Sequence, residues 1–342
     1  MAENIVDDVP WLEEVRSPPE HPPDDAPRLR PLLVDSSGDT IDTLQKWQAR
    51  RIEIRRWWEG FLSPLSSLPE RVPPVEVLEE ECLGDVTRQR VRYEVEPGVL
   101  TQAYLLIPTT QRVPTAGVVV LHSTVDESID EPSGIAGATP KSLGLDLARR
   151  GFVALCPRNF LWRNNHMLTA RWQTLKHRLR RPRCKGMAKM LQDAVVAVNV
   201  LASLPEVDPG RLGAVGHSLG AKQVLYLAAF DERIQVAASS EGGIGVGFSN
   251  WDAPWYLGRR IRHRTFNHEH HELLAMVAPR AFLLVGGDGF DGARSWPFIE
   301  AVLPVYGLHG VPSRVGLYNH RQGHKFPPQA AKRIHEWLEA YC

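Results

Sequence analysis

Cysteine is scarce in this chain. There are four among 342 residues, Cys82, Cys156, Cys184 and Cys342, widely spaced and never paired as C-x-x-C. That pattern excludes a disulfide framework or a zinc ribbon. Cys156 lies in an apolar run and reads as a small core residue. Net charge is missing as well: Lys+Arg and Asp+Glu are both 40, for a formal net charge of +0. Such a balance recommends neither nucleic acid nor an anionic membrane as a partner. No apolar stretch approaches the length of a membrane span. The acidic residues 1–8 contain no apolar leader core, so no signal peptide is visible and a cytoplasmic location is expected. The run His268-Glu269-His270-His271-Glu272 lacks the H-E-x-x-H spacing. Neighbouring histidines on a helix point in different directions, so no metal is expected there.

Hydrophobic residues make up 43% of the chain, enough for one large core. Residues 1–85 read as an N-terminal arm and helical extension. Proline and acid dominate residues 1–35, with Pro18-Pro19 and Pro22-Pro23, as in an extended segment lying on a domain. Leu44, Trp47, Ile54, Trp58 and Phe61 recur at helical spacing, placing one apolar face on a helix over 41–62. Residues 86–342 read as the main domain. Strands are predicted at 90–95 and 100–107 around Pro97-Gly98, then at 117–122, 152–156, 212–215, 235–239, 280–285 and 313–318. Helical patterns at 140–150, 187–201, 221–230 and 296–306 alternate with them, and a helix closes the chain. This alternation predicts an α/β fold with a mostly parallel central sheet and helices on both faces. One segment interrupts it. Residues 158–185 are rich in cations, Arg158, Arg163, Arg171, Lys176, Arg178, Arg180, Arg181, Arg183 and Lys185, interleaved with Phe160, Trp162, Met167 and Trp172. An insertion over or beside a substrate cleft is one reading of it, and a solvated excursion is the other.

The chemistry centres on Gly216-His217-Ser218-Leu219-Gly220. A G-x-S-x-G between a strand and a helix holds its serine on a sharp turn with the hydroxyl projecting into a cleft. A serine hydroxyl needs a base and a group to orient that base. His324, on the loop entering the last helix, is favoured as the base over His320, which is nearer the strand end. Asp291 and Asp288, in the Gly-rich loop 286–292 after a strand, are candidate orienting acids, with Asp291 preferred. Glu241, after the strand at 235–239, is a rival acid or a substrate contact. The oxyanion donors are expected to be the backbone amide of Leu219 and one from Ser123 or Thr124, with Thr124 the assignment carried forward. Lys222, four residues after Ser218, Trp251 in an aromatic cluster with Trp255 and Tyr256, and Trp162 in the insertion are further candidate substrate contacts.

Four segments resemble the α/β-hydrolases, in particular the dienelactone-hydrolase and acetylxylan-esterase-like branch. They are Leu121-His122-Ser123-Thr124, Gly216 to Lys222, Ala278-Pro279-Arg280 leading to Gly286-Gly287-Asp288, and Gly323-His324. The resemblance spans about residues 86–342. It implies Ser218 as nucleophile, His324 as base, an Asp after the corresponding strand, and a cofactor-free carboxylic ester hydrolase working through an acyl-enzyme. The chain departs from dienelactone hydrolases proper, which use cysteine at the position of Ser218. The spacing of Ser218 and Lys222 is also similar to glucuronoyl esterases, which carry Arg where this chain has Leu219. The expected partner is therefore a small-molecule ester. An amidase or peptidase on the same residues, and a non-catalytic binding protein of the same fold, are the alternatives.

Overall fold

The computed structural model describes residues 8–20, 27, 29–62, 69–109, 114–135, 140–162 and 169–342. Residues 1–7, Pro22-Pro23, Arg163 and Met167 lie outside them. Among the described residues nine strands form one sheet: β1 Glu76–Cys82, β2 Val86–Glu96, β3 Val99–Pro108, β4 Thr115–Leu121, β5 Val153–Pro157, β6 Val207–His217, β7 Ile234–Ser240, β8 Ala281–Gly286 and β9 Val315–Asn319. Their order across the sheet is β1-β2-β3-β5-β4-β6-β7-β8-β9. β1, β2, β3 and β5 pair antiparallel, and the pairs from β5-β4 through to β8-β9 are parallel.

The parallel strands carry unbroken apolar runs because both faces are covered. β4 is buried at every position. Along it Val119 and Leu121 face one core layer, while Val118 and Val120 face the other. The first layer is built from α2 Leu44–Leu62, α5 Gly186–Ala202, α6 Leu219–Phe230, α7 His271–Val277 and α8 Trp296–Leu308. The second comes from α1 Leu12–Arg16, α3 Leu143–Arg149 and α9 Pro328–Tyr341.

Described stretches of the N-terminal part pack into both layers. Trp47, Ile54, Trp58 and Phe61 are buried in the first layer, whereas Leu44 is exposed. The Trp58 indole donates to Glu272 (2.8 Å). In the second layer Trp11 stacks on Trp337 with centroids 5.7 Å apart. A domain boundary at residue 86 is corrected: it would cut between β1 and β2, which are paired strands. β1 escapes a pattern reading because its sequence, EVLEEEC, has no apolar face. Its glutamates meet cross-strand arginines instead: Glu76–Arg92 and Glu81–Arg88, each 2.6 Å, and Glu79–Arg90. A charged edge of this kind resists pairing with another chain.

The 158–185 segment connects β5 to α5. Its described part contains α4 Ala170–Arg180. Trp172 on α4 is exposed, whereas Trp162 is buried. Among the described residues no helix is long and apolar enough to cross a membrane.

Candidate active site

Ser218 occupies the turn between β6 and α6. Its backbone has φ 56° and ψ −110°, a conformation that non-glycine residues rarely adopt. The flanking glycines make the turn possible. A Cβ on Gly216 would sit 2.5 Å from the Gly220 carbonyl carbon, and one on Gly220 would sit 1.9 Å from the Leu121 oxygen. The second contact shows how closely the end of β4 abuts the start of α6. It brings the loop 122–124 beside Ser218.

His324 joins two residues that lie far apart in the chain. Its Nε2 is 3.0 Å from Ser218 Oγ, and its Nδ1 is 3.0 Å from Glu241 Oε2. Glu241 is fully buried, while the imidazole is 36% exposed. The serine and the reactive ring nitrogen are thus open to a substrate, and the carboxylate is sealed from water. Glu241 follows β7 and also has a left-handed backbone, φ 54°. Its Oε1 accepts from the Gly287 amide (2.5 Å) and its Oε2 from the Phe290 amide (2.6 Å). Two positive-φ residues meeting at one histidine mark a site where the fold supports strain. The His324 ring is held by Phe290, edge-on with centroids 4.6 Å apart, and by His217, stacked at 4.9 Å.

The expectation that Asp291 or Asp288 orients the histidine is corrected. Asp291 is fully buried and faces the other way. It accepts from the amides of Gly243 (2.6 Å) and Ile244 (2.7 Å) and from the Ser295 hydroxyl (2.9 Å). It therefore clamps the loop that follows Glu241. Burial raises its carboxyl pKa, against the pull of these hydrogen bonds. Asp288 staples its own loop, accepting from the Ala293 amide (3.1 Å) and the Asn319 side chain (2.8 Å). Both aspartates stand where a strand-end acid is expected. The sheet instead offers the carboxylate from the neighbouring strand.

Lys222 and Trp251, expected to meet substrate, are also corrected, because both are buried. The Lys222 ammonium donates to the Gly242 carbonyl and lies over the Trp251 ring, 4.2 Å from its centroid. Burial lowers its pKa to about 7. The Trp251 indole donates to the Gly243 carbonyl (2.7 Å). These two side chains brace the loop 241–244 from below. Trp162 packs edge-on against His122, with centroids 5.1 Å apart, and lines a cleft beside the insertion. Of the two loop residues considered for the oxyanion amide, Ser123 is buried, with its hydroxyl on Glu131 (2.9 Å), and Thr124 is exposed. Leu219 opens α6, so its amide is among those a helix start leaves without an intrahelical carbonyl.

The histidine-glutamate run at 268–272 has structural partners instead of a shared ligand. His268 pairs with Glu272 (2.8 Å) and stacks on Trp57. His270 joins the Ile244 carbonyl (2.7 Å) to the Tyr226 hydroxyl (2.8 Å). His271 meets the Arg30 carbonyl (2.9 Å). Among the described residues no group of three or more His, Cys, Asp or Glu side chains is placed to hold a metal ion.

Several buried histidines carry a pH consequence. Burial lowers the pKa of His122 to about 4, of His270 to about 3 and of His335 to about 4, and holds His217 well below its ordinary value. Below pH 6.5 the unfolded chain protonates these rings and the native one does not. Stability then falls by about 1.4 kcal/mol per pH unit for each such group. Burial raises Glu269 to about 7 and also raises Asp291, which works in the opposite direction. His177, His271, His309 and His320 are also lowered, and Asp146 and Asp193 are also raised, so eight histidines outweigh four carboxyls. The thermal midpoint should therefore drop between about pH 6.5 and 4, as scanning calorimetry across that range would show. A flat midpoint would contradict the assignment of these rings as neutral.

Residues 101–250 match the sequence model of the dienelactone hydrolase family. Dipeptidyl-peptidase 5 of Porphyromonas gingivalis is 25% identical over 169 residues, and that of Porphyromonas endodontalis is 24% identical over 180. Each match covers 44% of this chain and 24% of the relative, so the chain spans about a quarter of the length of these curated relatives. Among solved structures, a glucuronoyl esterase from Solibacter usitatus superposes with a TM-score of 0.75 at 17% identity, covering 92% of this chain and 98% of that one. A carbohydrate esterase family 15 glucuronoyl esterase from Caldicellulosiruptor kristjansonii gives 0.68 at 16% identity, covering 92% and 90%. At such identities the likeness establishes architecture, and the architecture is the α/β-hydrolase fold.

Proposed function

We propose that this chain is a serine hydrolase acting on carboxylic esters through Ser218, His324 and Glu241. The observation that carries the reading is the single imidazole spanning Ser218 Oγ and Glu241 Oε2 at 3.0 Å on each side. Nδ1–H donates to the buried carboxylate, which leaves Nε2 with its lone pair towards the serine. Oγ attacks the ester carbonyl as its proton passes to Nε2. The sealed carboxylate stabilises the imidazolium that forms. The Leu219 amide and a second amide from the loop after β4, assigned to Thr124, hold the developing oxyanion. Nε2–H then protonates the departing alcohol. Water, deprotonated by the same nitrogen, attacks the acyl-enzyme, and the acid leaves as Oγ regains its proton. The family match over 101–250 and the esterases named among the similar structures support the ester reading.

A peptidase on the same residues is the second reading, favoured by the dipeptidyl-peptidase relatives over part of the chain. A panel of p-nitrophenyl acetate, a methyl ester of a sugar acid and a dipeptidyl p-nitroanilide separates the two. Ester turnover with little anilide cleavage is expected, together with a fluorophosphonate adduct on the peptide containing Ser218. Faster cleavage of the anilide would favour the peptidase. No turnover and no adduct would sink both readings.

A further inference from the structure

Beside the β2–β3 hairpin and α4 lies a cleft of about 470 Å³ whose lining contains neither Ser218 nor His324. Its wall is unusually cationic. Arg158, Lys176 and Arg180 line it, and none of the three has an ion pair among the described residues. The carboxylates in the wall, Glu96 and Asp193, are already met by Lys189 at 2.6 and 2.5 Å. The same wall holds four buried nitrogens without a hydrogen-bond partner, Arg158 Nε, Asn159 Nδ2, Trp162 Nε1 and His177 Nε2, and one such oxygen, Glu96 Oε1, which already faces the Lys189 ammonium at 2.6 Å. Asn159 and Trp162 are only 5% and 4% exposed. Native proteins seldom leave such donors unsatisfied, because each forfeits its hydration with nothing in return. The first three are N–H donors grouped on the segment 158–162, and what that part of the wall lacks is an acceptor. The positive charge, offset at Arg158 only in part by Asp130 and Tyr104, asks for a further negative one.

We propose that this cleft binds a small oxyanion-bearing ligand, through its carboxylate, phosphate or sulfate group, with Arg158 as the central contact. A guanidinium offers planar paired donors that suit such groups. Burial weighs against the charge on Arg158, with Asp130 and Tyr104 partly offsetting it, and an incoming anion completes that compensation. Lys176 and Arg180, exposed on α4, draw the ligand to the mouth. The cleft also touches the candidate active site from behind. The Asn159 backbone N–H donates to His122 Nε2 (3.0 Å), and Trp162 packs on the same ring. His122 leads directly into Ser123 and Thr124. An occupant would thus rest one layer behind the loop next to Ser218. The proposal stands whether or not Ser218 cleaves esters.

The test is titration calorimetry on the full chain with inorganic phosphate, sulfate and glucuronate, at constant ionic strength held with chloride. At least one is expected to bind at a single site, and the three arms tell which oxyanion is preferred. Arg158→Gln, and separately the double variant Lys176→Gln/Arg180→Gln, should each weaken binding about tenfold or more, as loss of a charged hydrogen bond does. Should Arg158→Gln fail to fold by circular dichroism, the double variant decides, since both of its side chains are exposed. Heats indistinguishable from chloride for all three anions would overturn the proposal, leaving the cleft to water. Unchanged affinity in the variants that fold would overturn it as well.

Discussion

Ser218→Ala is expected to lower ester turnover by about 10⁶-fold in kcat, to the level that amide donors and binding alone support. It should also abolish labelling by a fluorophosphonate. The reasoning is local. Ser218 Oγ is the group that His324 Nε2 faces at 3.0 Å, and alanine leaves the ring with nothing to activate. The fold should barely notice, because this hydrogen bond is exposed to solvent and exposed pairs contribute little. Alanine keeps a Cβ, so the backbone at φ 56° remains as strained as before. Steady-state kinetics and a thermal melt on the same preparation separate the two effects. Activity within tenfold of the parent would remove Ser218 from the mechanism.

Glu241→Gln should cost about 10⁴-fold in kcat, the scale seen when a base is locked in the wrong tautomer. Each carboxylate oxygen accepts from a donor: Oε1 from the Gly287 amide, Oε2 from the Phe290 amide and from His324 Nδ1. A glutamine amide must set its NH2 against one of these. Turned towards His324, it forces the proton from Nδ1 to Nε2, and the ring can no longer accept from Ser218. Turned towards Gly287, it opposes that buried amide and destabilises the loop. Asp288→Asn provides the contrast. Its Oδ1 contacts survive in asparagine, so kcat should stay within a few-fold. Asp291→Asn should lower the melting temperature, because both of its oxygens accept from the loop 243–244. A 10⁴-fold loss in Asp288→Asn or Asp291→Asn, with Glu241→Gln nearly active, would return the orienting role to the β8 loop.

The layered fold was legible because its signals are local. An apolar run such as that of β4 reports burial on both faces, and Trp47, Ile54 and Trp58 report one helical face. β1 was not legible, since a strand of glutamates shows its partner only when Arg88, Arg90 and Arg92 lie across from it. The orienting acid misled for a related reason. Asp291 and Glu241 follow adjacent parallel strands, and both strand ends point at the same cleft. Chain order and loop composition cannot tell them apart.

By itself the sequence determined that a serine sits on a strand–turn–helix with His324 downstream, because a sharp turn demands Gly216 and Gly220 in place. Tertiary structure alone decided which carboxylate reaches that histidine. It also decided that Lys222 and Trp251 support the loop from beneath and that uncommitted cations gather around Arg158. Each of these depends on side-chain direction across strands far apart in the chain. No periodicity records that direction; the sheet register and the packing of α4 do.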